Sequence, residues 1–142
     1  MPAALFLDTA GWFAALSPRE HGHEIARATY ADAIRRGELL VTTPLVAAET
    51  HTLILRWRGP RGGTRFLETV FETGAYLIAP LDDQLIDGAM RWIRRFDDKP
   101  LSLADAVSFE VMRRERISRA LTFDRHFADA GFEILKLRAQ KG

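Results

Sequence analysis

The sequence predicts an α/β protein: a three-layer α/β/α sandwich on a mainly parallel, five-stranded sheet. Three observations lead there. Short apolar runs alternate along the chain with longer stretches of helical periodicity. The short runs are apolar throughout, as in strands covered on both faces, and do not alternate with polar residues. A chain of 142 residues, 47% hydrophobic and 27% charged, suits one domain, residues 1–142, with a core of adequate size. No internal repeat, low-complexity tract or linker divides it.

Taken in order, Ala3 to Leu7 is a short apolar run that reads as a buried strand, followed at once by Asp8 and a helix over "TAGWFAAL". Gly22 to Arg36 sets Ile25, Ala28, Ala33 and Ile34 among charged residues, an amphipathic helix ended by Gly37. Leu39 to Thr42 is the second strand. Thr43 is a natural N-cap for the next helix, and Pro44 suits its first position. Gly59, Pro60, Gly62 and Gly63 break that helix, and Thr64 to Glu72 restarts the pattern. "AYLIAP" reads as a third strand and "DDQLIDGAMRWIRRF" as a helix with Leu85, Ile86, Ala89, Trp92 and Ile93 on one side. Pro100 punctuates, Ser102 to Glu115 is helical, and "RALTF" and "FEILKL" supply strands four and five around a short helical turn.

Composition excludes several kinds of chemistry. With no cysteine there is no disulfide framework, thiol redox chemistry or thiolate-ligated metal, and a reducing cytoplasm is the expected location. The opening "MPAALFLDTAGW" lacks a basic start, and nowhere do 18 apolar residues run uninterrupted, so neither export by that route nor a membrane span is expected. The net charge of +1 conceals 17 arginines against three lysines. Base composition of the coding sequence accounts for that as well as function does. Clustering is another matter: "RWRGPRGGTR" carries Arg56, Arg58, Arg61 and Arg65 around Trp57 with no acidic residue, a surface suited to gripping phosphates.

In an open parallel sheet, function gathers at the carboxyl ends of the strands. Asp8 and Asp124 fall just past predicted strand ends, and Glu49 and Asp105 lie on helices that begin or pass near that edge. Each has a structural alternative. Asp8 and Asp124 precede helices and suit N-caps; Asp105 follows Ser102 at capping-box spacing. Glu49 lies between Leu45 and Leu53 at helical spacing, so it falls on the stripe expected to face the core, where a salt bridge to an arginine is the structural alternative. If the four converge, each close pair repels by roughly 3 kcal/mol at an effective dielectric of about 20. Such a cluster calls for a cation, and hard oxygen donors point to Mg²⁺ or Mn²⁺. The matching chemistry is phosphoryl displacement.

"FLDT", the helix glutamate, "LSLADAVSF" and "ALTFDRHF" together resemble PIN-domain ribonucleases, especially the VapC-type toxins of bacterial toxin–antitoxin pairs. The resemblance runs from Leu5 to about Leu135. It implies a PIN-like fold, RNA as substrate, and a metal site made by Asp8, Glu49, Asp105 and Asp124, with Thr9 and Thr122 as supporting hydroxyls. It further implies a homodimer and a small antitoxin whose C-terminal segment covers the groove; the clustered Arg56, Arg58, Arg61 and Arg65 are, on their own composition, the candidate grip on RNA or antitoxin. Ala10 departs from the pattern, since many relatives carry Ser or Asn there.

Two rival functions stay open on the residues. An aspartate-based phosphotransferase suits "LFLDT" but wants a second aspartate where Ala10 stands. A non-catalytic binding module would use the same acidic pocket to dock a basic peptide or hold a structural ion. The histidines read as surface residues: His21 and His23 open an exposed helix without further ligands, His51 lies on the far side of the helix from Glu49, and His126 is close enough to Asp124 to touch RNA.

Overall fold

In the computed structural model, which describes residues 3–137, the chain runs β1 (Ala4–Leu7), α1 (Thr9–Leu16), α2 (His23–Arg35), β2 (Leu39–Thr42), α3 (Pro44–Glu72), β3 (Leu77–Ile78), α4 (Asp83–Arg95), α5 (Leu103–Arg114), β4 (Ala120–Leu121) and α6 (Arg125–Asp129). The four strands form one sheet in the order β3-β2-β1-β4, and every pairing is parallel. Leu5, Phe6 and Leu7 are all buried. Successive strand residues face opposite sides, so both faces of β1 are covered, and the unbroken apolar run is thereby explained. Phe6 meets Phe127 of α6, which packs edge-on against Phe109 of α5.

The order of strands matters for function. From β1 the chain builds outward through β2 to β3 on one side and later returns to place β4 on the other. The carboxyl end of β1 is therefore a switch point, where loops diverge and leave a crevice. Asp8 is the first residue past it.

The fifth strand is reduced to a single parallel bridge, Arg119 with Glu133. Its segment does lie along β4: Ala120 donates to the Glu133 carbonyl at 2.9 Å, Glu133 to Ser118 at 2.8 Å and Leu135 to Thr122 at 2.9 Å. Extended pairing stops because β4 is only two residues long. The amide of Thr122 turns back to the Ala120 carbonyl, taking the chain out of the ladder and into the crevice. "AYLIAP" shortens similarly to the two residues of β3.

α3 is continuous by hydrogen bonding yet broken at Gly59, whose φ of 72° and ψ of −173° belong to a region essentially closed to other residues. Its two arms fold back on each other. A Cβ placed on Gly63 would lie 2.7 Å from a Leu55 methyl and 2.9 Å from His51 Nε2, twelve positions earlier in sequence. The arginine-rich segment thus forms the tip of a helical hairpin.

α4 and α5 pack as a pair around Glu110, whose carboxylate is buried but fully answered. It accepts from Arg113, Arg114 and the indole of Trp92 at 2.8–3.1 Å. The Arg113 guanidinium holds its carboxyl down at about 2. This is how the fold treats a carboxylate that serves structure.

Candidate metal centre

Asp8 is treated in the opposite way. It occupies the N-cap position of α1, yet its side chain makes no cap hydrogen bond, so the capping explanation fails for it. Its Oδ2 instead accepts from Thr122 Oγ1 at 2.7 Å, across a sequence separation that only the β1–β4 pairing closes. Thr122 is fully buried, and its hydroxyl oxygen also accepts from the amide of Asp124 at 3.1 Å. One threonine thus ties the first and last aspartates together.

Asp105 and Asp124 are caps and site residues at once. Asp105 sits in the first turn of α5, where its amide donates to Ser102 Oγ at 3.0 Å, half of a capping box. Its carboxylate remains free to face the crevice. Asp124 caps α6, accepting from the His126 amide at 2.9 Å.

Asp8 and Asp105 both hold their protons more tightly than free carboxyls do. Burial first, then the charges of Asp105 and Asp124, push Asp8 up to about 7, against the opposing hydrogen bond from Thr122. Burial first and then Asp124 raise Asp105 to about 6. Among the described residues no lysine or arginine pairs with any of the three; the imidazole beside them is that of His126, whose Nδ1 lies 3.2 Å from Asp124 and 3.9 Å from Asp105. Asp105, Asp124 and His126 offer ligand atoms all within 4.8 Å of one another. The carboxylate oxygens suit a divalent metal cation, and the imidazole stands beside them as a nitrogen donor.

A pH dependence follows in metal-free solution. Because the folded state favours the protonated Asp8, the stability from this group is complete below its unfolded pKa near 4 and lost as pH rises through about 7. A shift of that size corresponds to about 4 kcal/mol, or about 10 °C in melting temperature for a domain of this length. In EDTA, the melting temperature of the wild type should fall more between pH 5 and pH 8 than that of Asp8→Asn, and millimolar divalent metal should close the gap at pH 8. Equal falls in both proteins would show that Asp8 carries no such penalty.

Glu49 is not where its spacing placed it. The buried stripe of α3 runs through Val46, Ala47, Thr50 and Ile54, and Glu49 is exposed beside it. The reason is rotational: Leu45 and Leu53 are only half buried, so the line through them marks the margin of the helix face. From that margin Glu49 Oε2 accepts from Thr9 Oγ1 at 3.1 Å, next to Asp8. It therefore borders the site through Thr9 and is not paired with an arginine.

Arg56, Arg58, Arg61 and Arg65 are all exposed at the hairpin. Among the described residues none forms an ion pair, unlike Arg113, Arg114 and Arg119. Arg58 lies over the Trp57 ring at 4.1 Å, and Phe13 of α1 meets Trp57 edge-on. His126 is the residue whose place spacing did not reveal. Its signal is Asp-x-His at a helix start, where the cap bond brings the histidine back onto its own capping carboxylate.

Residues 5–133 match the PIN domain family. Over 132 residues the chain is 33% identical to the 23S rRNA-specific endonuclease VapC20 of Mycobacterium tuberculosis, covering 90% of this chain and 95% of that protein. The crystal structure of M. tuberculosis VapC20, described as a sarcin–ricin loop cleaving toxin, matches with a TM-score of 0.79 at 28% identity, covering 96% of this chain and 100% of that one. FitAcB from Neisseria gonorrhoeae shares the fold, with a TM-score of 0.63 at 16% identity over 93% of this chain and 96% of its own. With the family matched over nearly its whole length, the chain belongs to the PIN domain family and is a homologue of the VapC endonuclease toxins.

Proposed function

We propose that this protein is a divalent-metal-dependent endoribonuclease, the toxin of a toxin–antitoxin pair, with Asp8, Glu49, Asp105 and Asp124 as its catalytic and metal-holding residues and Mg²⁺ or Mn²⁺ as its ion. The observation that carries the proposal is a contrast between two carboxylate sites. Buried Glu110 is clamped by arginines, whereas Asp8, Asp105 and Asp124 are crowded together with no lysine or arginine to balance them. A fold that supplies Arg91, Arg113 and Arg114 around one carboxylate but no arginine around three leaves that charge for something it binds.

Thr122 holds Asp8 in place and Ser102 sets the turn that carries Asp105, while the amide of His126 restrains one oxygen of Asp124. Thr9 positions Glu49 at the rim. A bound divalent ion supplies activation of water for attack at phosphorus and stabilisation of the departing oxygen. Ala10 offers no second carboxylate two positions after Asp8, which disfavours an aspartyl-phosphate intermediate.

The decisive experiment maps RNA ends in cells after induction of the protein, beside an Asp8→Asn control. New ends that depend on Asp8 support the proposal; identical profiles sink it. Ribosomal RNA is the first substrate to inspect, given the relatives' activity on 23S rRNA.

RNA and an antitoxin are the proposed partners, and a homodimer the proposed assembly. The unbalanced carboxylates suit a basic side chain of an antitoxin, and Phe71 and Leu77, about half exposed, are candidates for burial between subunits. No helix among the described residues is long and apolar enough to cross a membrane, and we place the activity in the cytoplasm.

The hairpin arginines are assigned to the grip on RNA or antitoxin. Replacing them together, Arg56→Gln, Arg58→Gln, Arg61→Gln and Arg65→Gln, should weaken RNA binding and reduce its salt slope by about 2 to 3, since each phosphate contact on a single strand contributes about 0.7. An unchanged slope in filter binding at several salt concentrations would remove them from the RNA interface.

A further inference from the structure

We infer that His126 is a nitrogen ligand of the metal centre and biases it toward transition-metal cations over Mg²⁺. The inference rests on the metal-site reading above and deepens it. Three observations lead to it. First, the ring is brought there by local structure: His126 is the second residue of α6, and its amide donates to Asp124 Oδ1 at 2.9 Å. Backbone and ring of one residue therefore converge on one carboxylate.

Second, the spacing matches what a common ion requires. With bonds of about 2.1 Å, neighbouring ligand atoms on an octahedral cation lie about 3 Å apart and opposite ones about 4.2 Å. His126 Nδ1 stands 3.2 Å from Asp124 Oδ1 and 3.9 Å from Asp105 Oδ2, inside that range on both sides. Third, the polar neighbours of the imidazole among the described residues are those two carboxylates alone. Among the described residues its ring makes no hydrogen bond to a carbonyl or hydroxyl, whereas the His23 ring meets the Ala14 carbonyl at 2.7 Å. The side chain is 29% exposed, close to Asp124 at 30%, so both are within reach of a solvated ion.

The chemical consequence follows from donor type. Mg²⁺ prefers oxygen and holds its waters tightly, whereas imidazole suits the later divalent metals. A site of carboxylates alone discriminates weakly among hard cations. One with a ring nitrogen gains affinity as the metal softens.

Two measurements on the full chain test this. Pulsed electron paramagnetic resonance of Mn²⁺-loaded wild type should show coupling to a directly bonded nitrogen, absent in His126→Ala and His126→Gln. By calorimetric titration, His126→Ala should lose about tenfold or more in Co²⁺ affinity while Mg²⁺ affinity changes by less than about threefold. Wild type that binds Mn²⁺ with no nitrogen coupling would overturn the assignment, leaving His126 as an ion-pair partner and the metal site standing. Wild type that binds no divalent ion would overturn this inference together with the metal-site reading, so the two failures are told apart. Nitrogen coupling that survives in both variants would also overturn it, by assigning the ligand to another histidine.

Discussion

Asp8→Asn is expected to lower RNA cleavage by at least about 10³-fold, equivalent to about 4 kcal/mol of transition-state stabilisation, while leaving the protein folded. Asparagine keeps the shape of the side chain and can still accept from Thr122, so the 2.7 Å link between β1 and the β4 loop survives. What it loses is the negative charge nearest the end of β1. That charge is costly to the fold, because burial and the neighbouring Asp105 and Asp124 push the carboxyl up to about 7. The variant should therefore be inactive and, in EDTA at pH 8, more heat-resistant than the wild type. Loss of activity with gain of stability is the signature of a residue kept for function. Cleavage of a defined RNA by rigorously purified variant, measured alongside its melting curve, checks both halves. Undiminished cleavage would sink the nuclease assignment at this site.

Gly11→Ala should be the most disruptive single methyl in the chain. A Cβ there would fall 2.1 Å from the Leu121 carbonyl oxygen, 2.3 Å from its carbon and 2.6 Å from the Thr122 amide. All three are backbone atoms of β4 and its exit, so no side-chain rotation relieves the clash. Either α1 lifts from the sheet or β4 moves, and Thr122 moves with it. The expected cost is about 3 kcal/mol or more, lowering the melting temperature by about 10 °C. Ala10→Ser, one residue earlier and exposed, is the matched control and should stay within about 0.5 kcal/mol of the wild type. A Gly11→Ala protein as stable as that control would mean that α1 does not press on β4 as described.

Much of this molecule was legible before folding, and particular residues show why. Thr43 and Pro44 announced the start of α3, and Thr43 does accept from the Val46 amide at 3.2 Å. Gly59 and Pro60 announced the break. Those signals are local, since caps and left-handed positions depend on a few neighbouring residues. The aspartates were legible because each follows a strand or opens a helix. Glu49 was misplaced for the converse reason: a four-residue spacing fixes which side chains share a helix face but not how that face is turned against the sheet. The fifth strand fell short because pairing needs a partner of sufficient length, and β4 ends after two residues.

The order of elements, the parallel sheet, the hairpin break and the identity of the acidic residues are written in the chain, since they follow from periodicity, capping and turn chemistry over short distances. Three things are not. Thr122 bonds to Asp8 across 114 positions, the Asp105–Asp124–His126 group draws on two helices, and the carboxylates are left without arginines that Glu110 receives in abundance. Each depends on which segments the sheet order brings side by side, and a contact between distant segments has no local sequence signature.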